Sequence, residues 1–216
     1  ADATLVNTAT TVVATGSANV DTMNMSMHSA GMTINGLAGD DVITGTSGAD
    51  TIDGGANDDT IAGGDGNDQF TISAGDDAIT DLTTGDIVDV AAGATVSATG
   101  VTAFVATIDT QNLGSAAADF AIVAAAAGST VDMDLATVTT ANADGFTLTG
   151  GIGVDTFTGS DGDDTIAGGT GADTLTGGLG ADTFVNADIA NNGIDSITDF
   201  ATTVDNITLS IADLNA

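Results

Sequence analysis

The stretch "GTSGADTIDGGANDDTIAGGDGNDQFT", residues 45 to 71, places one Asp every nine residues, each two before a large apolar side chain. The spacing runs through Asp41, Asp50, Asp59, Asp68, Asp77 and Asp86, followed by Ile43, Ile52, Ile61, Phe70, Ile79 and Val88. A period of nine suits neither a helix nor a single strand. It suits a unit that turns, runs briefly as a strand and turns again.

In nines, residues 36 to 89 read GLAGDDVIT, GTSGADTID, GGANDDTIA, GGDGNDQFT, ISAGDDAIT and DLTTGDIVD. A second run opens at Gly150 with GGIGVDTFT, GSDGDDTIA, GGTGADTLT and GGLGADTFV, then continues after four inserted residues as ANNGIDSIT and DFATTVDNIT. Both runs lose the leading Gly at their fifth and sixth units, so a whole module is duplicated. Gly at the first, second and fourth places permits positive φ and close backbone approach. Asn57 stands at one fourth place, and Asn also tolerates the left-handed region. The last three residues of a unit alternate as a short strand with one face inward. Two units make one coil, and such coils bury their apolar face only by stacking. The pattern predicts an all-β chain: a parallel β-roll in two blocks with a β-rich connecting segment.

In an 18-residue coil, alternate units share an edge at about 4.8 Å. Asp41, Asp59 and Asp77 then fall on one edge, and Asp50, Asp68 and Asp86 on the other. Two bare carboxylates about 5 Å apart repel by roughly 3 kcal/mol at an effective dielectric of 20. A column of them would outweigh the total stability of a small domain, about 5–15 kcal/mol. The chain of 216 residues has no Lys and no Arg, and its formal charge is -31. The counter-ion must come from solution. Carboxylates with turn carbonyls form an oxygen-only donor set, which suits Ca²⁺ better than the rigid octahedron of Mg²⁺. Zinc would call for His or Cys, and the chain has one His and no Cys.

The units resemble the RTX nonapeptide, GGxGxDxUx; GGTGADTLT (168–176) and GGLGADTFV (177–185) match every fixed position. The resemblance implies a right-handed parallel β-roll with several Ca²⁺ ions between same-edge turns. It places the ions on the side chains of Asp41, Asp50, Asp59, Asp68, Asp77, Asp86, Asp155, Asp164, Asp173, Asp182, Asp195 and Asp205. Carbonyls of the turns opened by Gly36, Gly45, Gly54, Gly63, Gly150, Gly159, Gly168 and Gly177 would complete the sites. It also implies an extracellular protein, secreted or at the cell surface, exported unfolded by a type I secretion machinery and folded by external calcium.

Residues 1–35 read as lead-in strands, 36–90 as the first block, 91–149 as the connector, 150–210 as the second block and 211–216 as a tail. The alternation of Met23, Met25 and Met27 predicts core packing of a strand. Within the connector, 115–128 reads either as β structure or as one short helix. "ATLVNTATTVV" at the start is the candidate edge or exchanged strand. His28 reads as a surface or strand residue.

A hydrophobic share of 42% sets the chain apart from a disordered polyanion. The charge argues against nucleic acid or an anionic membrane as partner, and no apolar run reaches the about 18 residues of a membrane span. With no Cys, Lys, Arg, Tyr or Glu, and every prominent Asp assigned to a turn, the expectation is not an enzyme. The Ala/Thr/Gly/Asp-rich, duplicated sequence resembles RTX-type bacterial surface-layer proteins. This predicts a calcium-stabilised structural subunit that self-associates into a sheet or filament. The alternative is the calcium-folding type I secretion domain of an RTX enzyme, toxin or adhesin.

Overall fold

The computed structural model describes residues 12–91, 94–106, 110–112, 120–124, 128–133, 136–138, 144–186 and 193–209. These residues form strands and turns in three parallel sheets, with no helix among them. The first sheet holds seven strands: β1 (Val12–Thr15), β3 (Met32–Asn35), β5 (Thr51–Asp53), β7 (Gln69–Ile72), β9 (Ile87–Val90), β12 (Gln111–Asn112) and β15 (Thr137–Val138). The second holds ten and spans most of the described chain. It opens with β2 (Thr22–Asn24), β4 (Val42–Thr44), β6 (Thr60–Ala62), β8 (Asp76–Ile79) and β10 (Thr95–Val101). It continues with β13 (Phe120–Ala124), β16 (Asp144–Thr149), β18 (Asp163–Ala167), β20 (Thr183–Asn186) and β22 (Asn206–Leu209). The third holds β11 (Ala103–Val105), β14 (Thr130–Asp132), β17 (Thr156–Thr158), β19 (Thr174–Thr176) and β21 (Ser196–Ile197).

Successive coils stack at the predicted period. Thr33 pairs with Thr51 and Thr51 with Gln69, each eighteen residues on. The three-residue strands are short because a turn follows each, and only their middle residue points inward. Ile34, Ile52, Phe70 and Val88 therefore form one buried row. Met23, Ile43, Ile61, Ile79 and Ala98 form the facing row. The core is these two rows interdigitating, which makes the molecule a parallel β-roll.

The connector belongs to the same stack but changes its cross-section. Val96 lies opposite Phe120, twenty-four residues on, and Ala103 opposite Thr130, twenty-seven on. Each widened coil carries three strands, β10–β11–β12 and then β13–β14–β15, one in each sheet. Aromatic side chains fill the wider interior: Phe104, Phe120 and Phe146 are fully buried, and Phe120 meets Phe146 edge-on at 5.2 Å. The first sheet ends at β15, and the third sheet takes its place in the coil. One consequence is a change of phase between the modules. Asp41 leads into a strand of the ten-stranded sheet, whereas its duplicate Asp155 leads into the five-stranded one.

One reading left open is decided in part, and one expectation, the inward Met27, needs correction. Of the stretch weighed as a helix, Phe120–Ala124 is a strand, with Phe120, Ile122 and Ala124 inward at period two; residues 115–119 and 125–127 lie outside the described residues. Met23 is buried and Met25 packs on the core, but Met27 is 97% exposed. The strand ends at Asn24, whose Oδ1 accepts hydrogen bonds from the Ser26 N–H and hydroxyl and turns the chain. The candidate exchanged strand is described only from Val12, and the tail not at all.

Candidate metal centre

The twelve Asp do line up, and a hydrogen bond joins each to its neighbour. Oδ1 of each accepts a backbone N–H from the adjacent coil. Asp59 accepts from Asp41 at 2.8 Å and Asp77 from Asp59 at 2.9 Å on one edge; Asp68 accepts from Asp50 and Asp86 from Asp68 on the other. Asp41 and Asp50 start these columns on the N–H groups of Asp21 and Met32. In the second module Asp155, Asp173 and Asp195 form one column, begun on Ser129. Asp164, Asp182 and Asp205 form the other, begun on Phe146. Ten of the carboxylates are buried; Asp195 and Asp205, in the worn last units, are half-buried. The Asp is thus both a link between coils and a charge sealed between them.

The second oxygen behaves differently from turn to turn, and in six turns its state goes with the conformation of the second residue of the unit. Thr46, Gly151 and Ser160 turn their N–H onto Oδ2 of Asp50, Asp155 and Asp164. Leu37, Gly55 and Gly169 adopt positive φ, +82°, +110° and +89°. Oδ2 of Asp41, Asp59 and Asp173 is then buried without a donor, as is that of Asp77. Residues at positive φ are mostly glycine for steric reasons, so Leu37 is a strained exception. Asn57 adopts φ of +80° at its fourth place, as its residue type allows.

Glycine at the first place serves another purpose. Gly54 is not at positive φ; a Cβ there would collide with the carboxylate of Asp59. A Cβ at Gly177 would collide with Asp182 in the same way. The first Gly leaves room for the acid, and at Gly55 and Gly169 the second leaves the outer oxygen without a donor.

Burial sets the electrostatics of several column carboxyls. Burial lifts the carboxyl of Asp77 and that of Asp164 to about 7, and those of Asp68 and Asp182 to about 6. Accepted N–H bonds oppose the shift, and neighbouring carboxylates add to it. Asp59, Asp86 and Asp173 are raised for the same leading reason. Among the described residues no three acidic or His side chains converge as a ready cluster. His28 lies exposed between β2 and β3. The donor set fits a hard divalent cation: oxygen only, anionic, with unpaired buried oxygens in register.

Two further carboxylates escaped the sequence reading. Asp81 accepts the N–H groups of Gly63 and Gly64, both at 2.9 Å, with its two oxygens. Asp199 does the same for Gly177 and Gly178 at 2.9 and 2.8 Å. Each module ends by closing its last Gly-Gly turn with an acid. The shared "ITD" of "ITDLTTGD" and "ITDFATTVD" was the visible signal.

A parallel β-roll with stacked acidic turns defines a class of cation-dependent solenoids. The family model of the RTX calcium-binding nonapeptide repeat (4 copies) matches residues 35–70 and again residues 149–184. These two stretches, a third of the chain, are similar to repeats described as calcium-binding. No curated protein matches the chain.

Proposed function

We propose that this chain is a calcium-stabilised structural protein of the cell exterior, a subunit or assembly region of a surface layer or filament. The observation that carries the reading is the set of buried, aligned carboxylates in a chain without one Lys or Arg. The residues to hold Ca²⁺ are the twelve column Asp, with Oδ2 of Asp41, Asp59, Asp77 and Asp173 foremost, and carbonyls of the glycine-rich turns opened by Gly36, Gly45, Gly54, Gly63, Gly150, Gly159, Gly168 and Gly177. Bound calcium supplies positive charge between coils. The chain's own part is to present the oxygens in register and to exclude water by its apolar rows. Stability then follows calcium concentration by mass action, about 2.7 kcal/mol per site at a hundredfold excess over Kd. A chain that self-repels where calcium is scarce and stiffens where it is abundant suits export before folding. Its plain duplicated composition suits a protein made in bulk for structure rather than chemistry.

The test combines two readouts on one preparation. Circular dichroism should lose its β signal in excess EGTA at neutral pH and regain it with Ca²⁺. Electron microscopy should show ordered sheets or fibres only with calcium. An unchanged spectrum on demonstrably calcium-free protein would remove the calcium reading. Folding with calcium but no assembly would favour the alternative, a calcium-folding secretion domain.

A further inference from the structure

The duplication allows one module to be read against the other. The residue just before each column Asp stacks on its equivalents, because the column itself is hydrogen-bonded from coil to coil. In the first module this row is Asp40, Asp58 and Asp76, all exposed. The N–H of Asp76 donates to Oδ1 of Asp58 at 3.0 Å, and the N–H of Asp58 to Oδ1 of Asp40 at 3.4 Å. In the second module the same row is Val154, Ala172 and Ile194, also all exposed. Val154 is 65% exposed, Ile194 92%, and Ile152 in the turn of Val154 73%. One coil earlier the row continues with Gly128, which abuts the Val154 carbonyl. Four successive coils thus carry no charge at this place. The carboxylate row leads into the ten-stranded sheet and the apolar row into the five-stranded one, so they run along different edges.

Scattered exposed apolar residues are ordinary, but this row is in register, and the fold does not require it. The first module folds the same turns with Asp at every equivalent position. We propose that the row is a contact surface for a second copy of this chain, laid row against row. Charge selects the partner's approach. Every copy is an anion with no Lys or Arg, so two copies repel least along an edge whose outer carboxylates are gone. Spacing selects the partner itself: apolar steps recurring at the interstrand distance of about 4.8 Å are matched row for row by an identical roll. The stripe is small beside the about 800 Å² per partner of a standard interface. Single contacts are weak, and repetition through an assembly multiplies them. This inference rests on the reading of the chain as self-associating.

The experiment is sedimentation equilibrium of the full chain in millimolar Ca²⁺. It compares the parent with two variants. V154D/A172D/I194D copies the first module's own residues, and Ile152→Ser, Val154→Ser and Ile194→Ser together remove the large apolar side chains without adding charge. Both should keep the calcium-dependent circular dichroism and self-associate at least tenfold more weakly. If the serine variant associates as the parent does, the apolar contact is overturned while the structural reading stands. If the parent stays monomeric across the accessible concentrations, the contact and the reading fall together. Should the aspartate variant misfold, the serine variant alone decides.

Discussion

At the scale of the residue, Asp77 does two jobs that conflict at neutral pH. Its Oδ1 ties one coil to the next, yet its charge is held where burial disfavours it. Asp77→Asn separates the jobs. The amide oxygen keeps the acceptor for the Asp59 N–H, and the charge disappears. Because burial raises Asp77 to about 7, the calcium-free variant should be more stable than the parent near neutral pH. With calcium the order should reverse, since a ligand charge is gone, with at least a tenfold loss of affinity, about 1.4 kcal/mol. Thermal melts with and without EGTA read both signs; a variant less stable in both conditions would contradict the division. Gly54→Ala probes the neighbouring constraint. Its Cβ would strike the Asp59 carboxylate, and overpacking of this kind costs about 1–3 kcal/mol, so the calcium-loaded melt should fall accordingly.

At the scale of the element, the unit of construction is turn plus three-residue strand, and its weak point is the end of a run. Asp81 is half-buried and satisfies two amides that no following glycine-rich turn covers. Asp81→Ala should cost about 2 kcal/mol, the lower part of the range for charge-assisted hydrogen bonds. Asp199→Ala should cost less, because Asp199 is exposed and its contacts are shared with water. Amide hydrogen exchange at Gly63 and Gly64 is the direct measurement; unchanged protection in the Asp81 variant would dismiss the closing role. These elements also mark what could be read beforehand. A nine-residue period combines one obligatory turn with one obligatory inward residue, so the coil, its edges and both Asp columns were legible. The connector was not. Its Ala, Thr and Val residues carry no period, and its coils widen by adding a strand that no turn signal announces. The half-coil change of phase follows from that strand and was hidden with it. So was the fate of Oδ2, which at Asp41, Asp59 and Asp173 goes with a second residue at positive φ. Leu37 takes it against its type, and Gly151 does not although it could. Met27 failed for a local reason: an Asn side chain turned the chain before the alternation was complete.

At the scale of the whole molecule, protons and calcium compete for the same oxygens. Asp68, Asp77, Asp164 and Asp182 have folded values of about 6 to 7 against an unfolded value near 3.8. Each therefore binds its proton more tightly in the folded chain than in the unfolded one. Such a group contributes stability that is complete below the unfolded value and is lost as pH rises through the folded one. The calcium-free protein should thus be most stable near pH 4 and lose its β structure between about pH 5 and 7, the reverse of ordinary acid denaturation. Solubility weighs against the acid limit, because protonation brings the net charge toward zero near the pI of about 4.1, so dilute protein is needed. With saturating Ca²⁺ the dependence should vanish at neutral pH and reappear at the acid end as released ions, since protonated carboxylates bind calcium poorly. Circular dichroism titrations from pH 4 to 8, with EGTA and with Ca²⁺, give two curves that should meet at the acid end and separate toward neutral pH. A calcium-free chain that stays folded at pH 8, or that unfolds on acidification, would mean that the buried columns are not the origin of its calcium dependence.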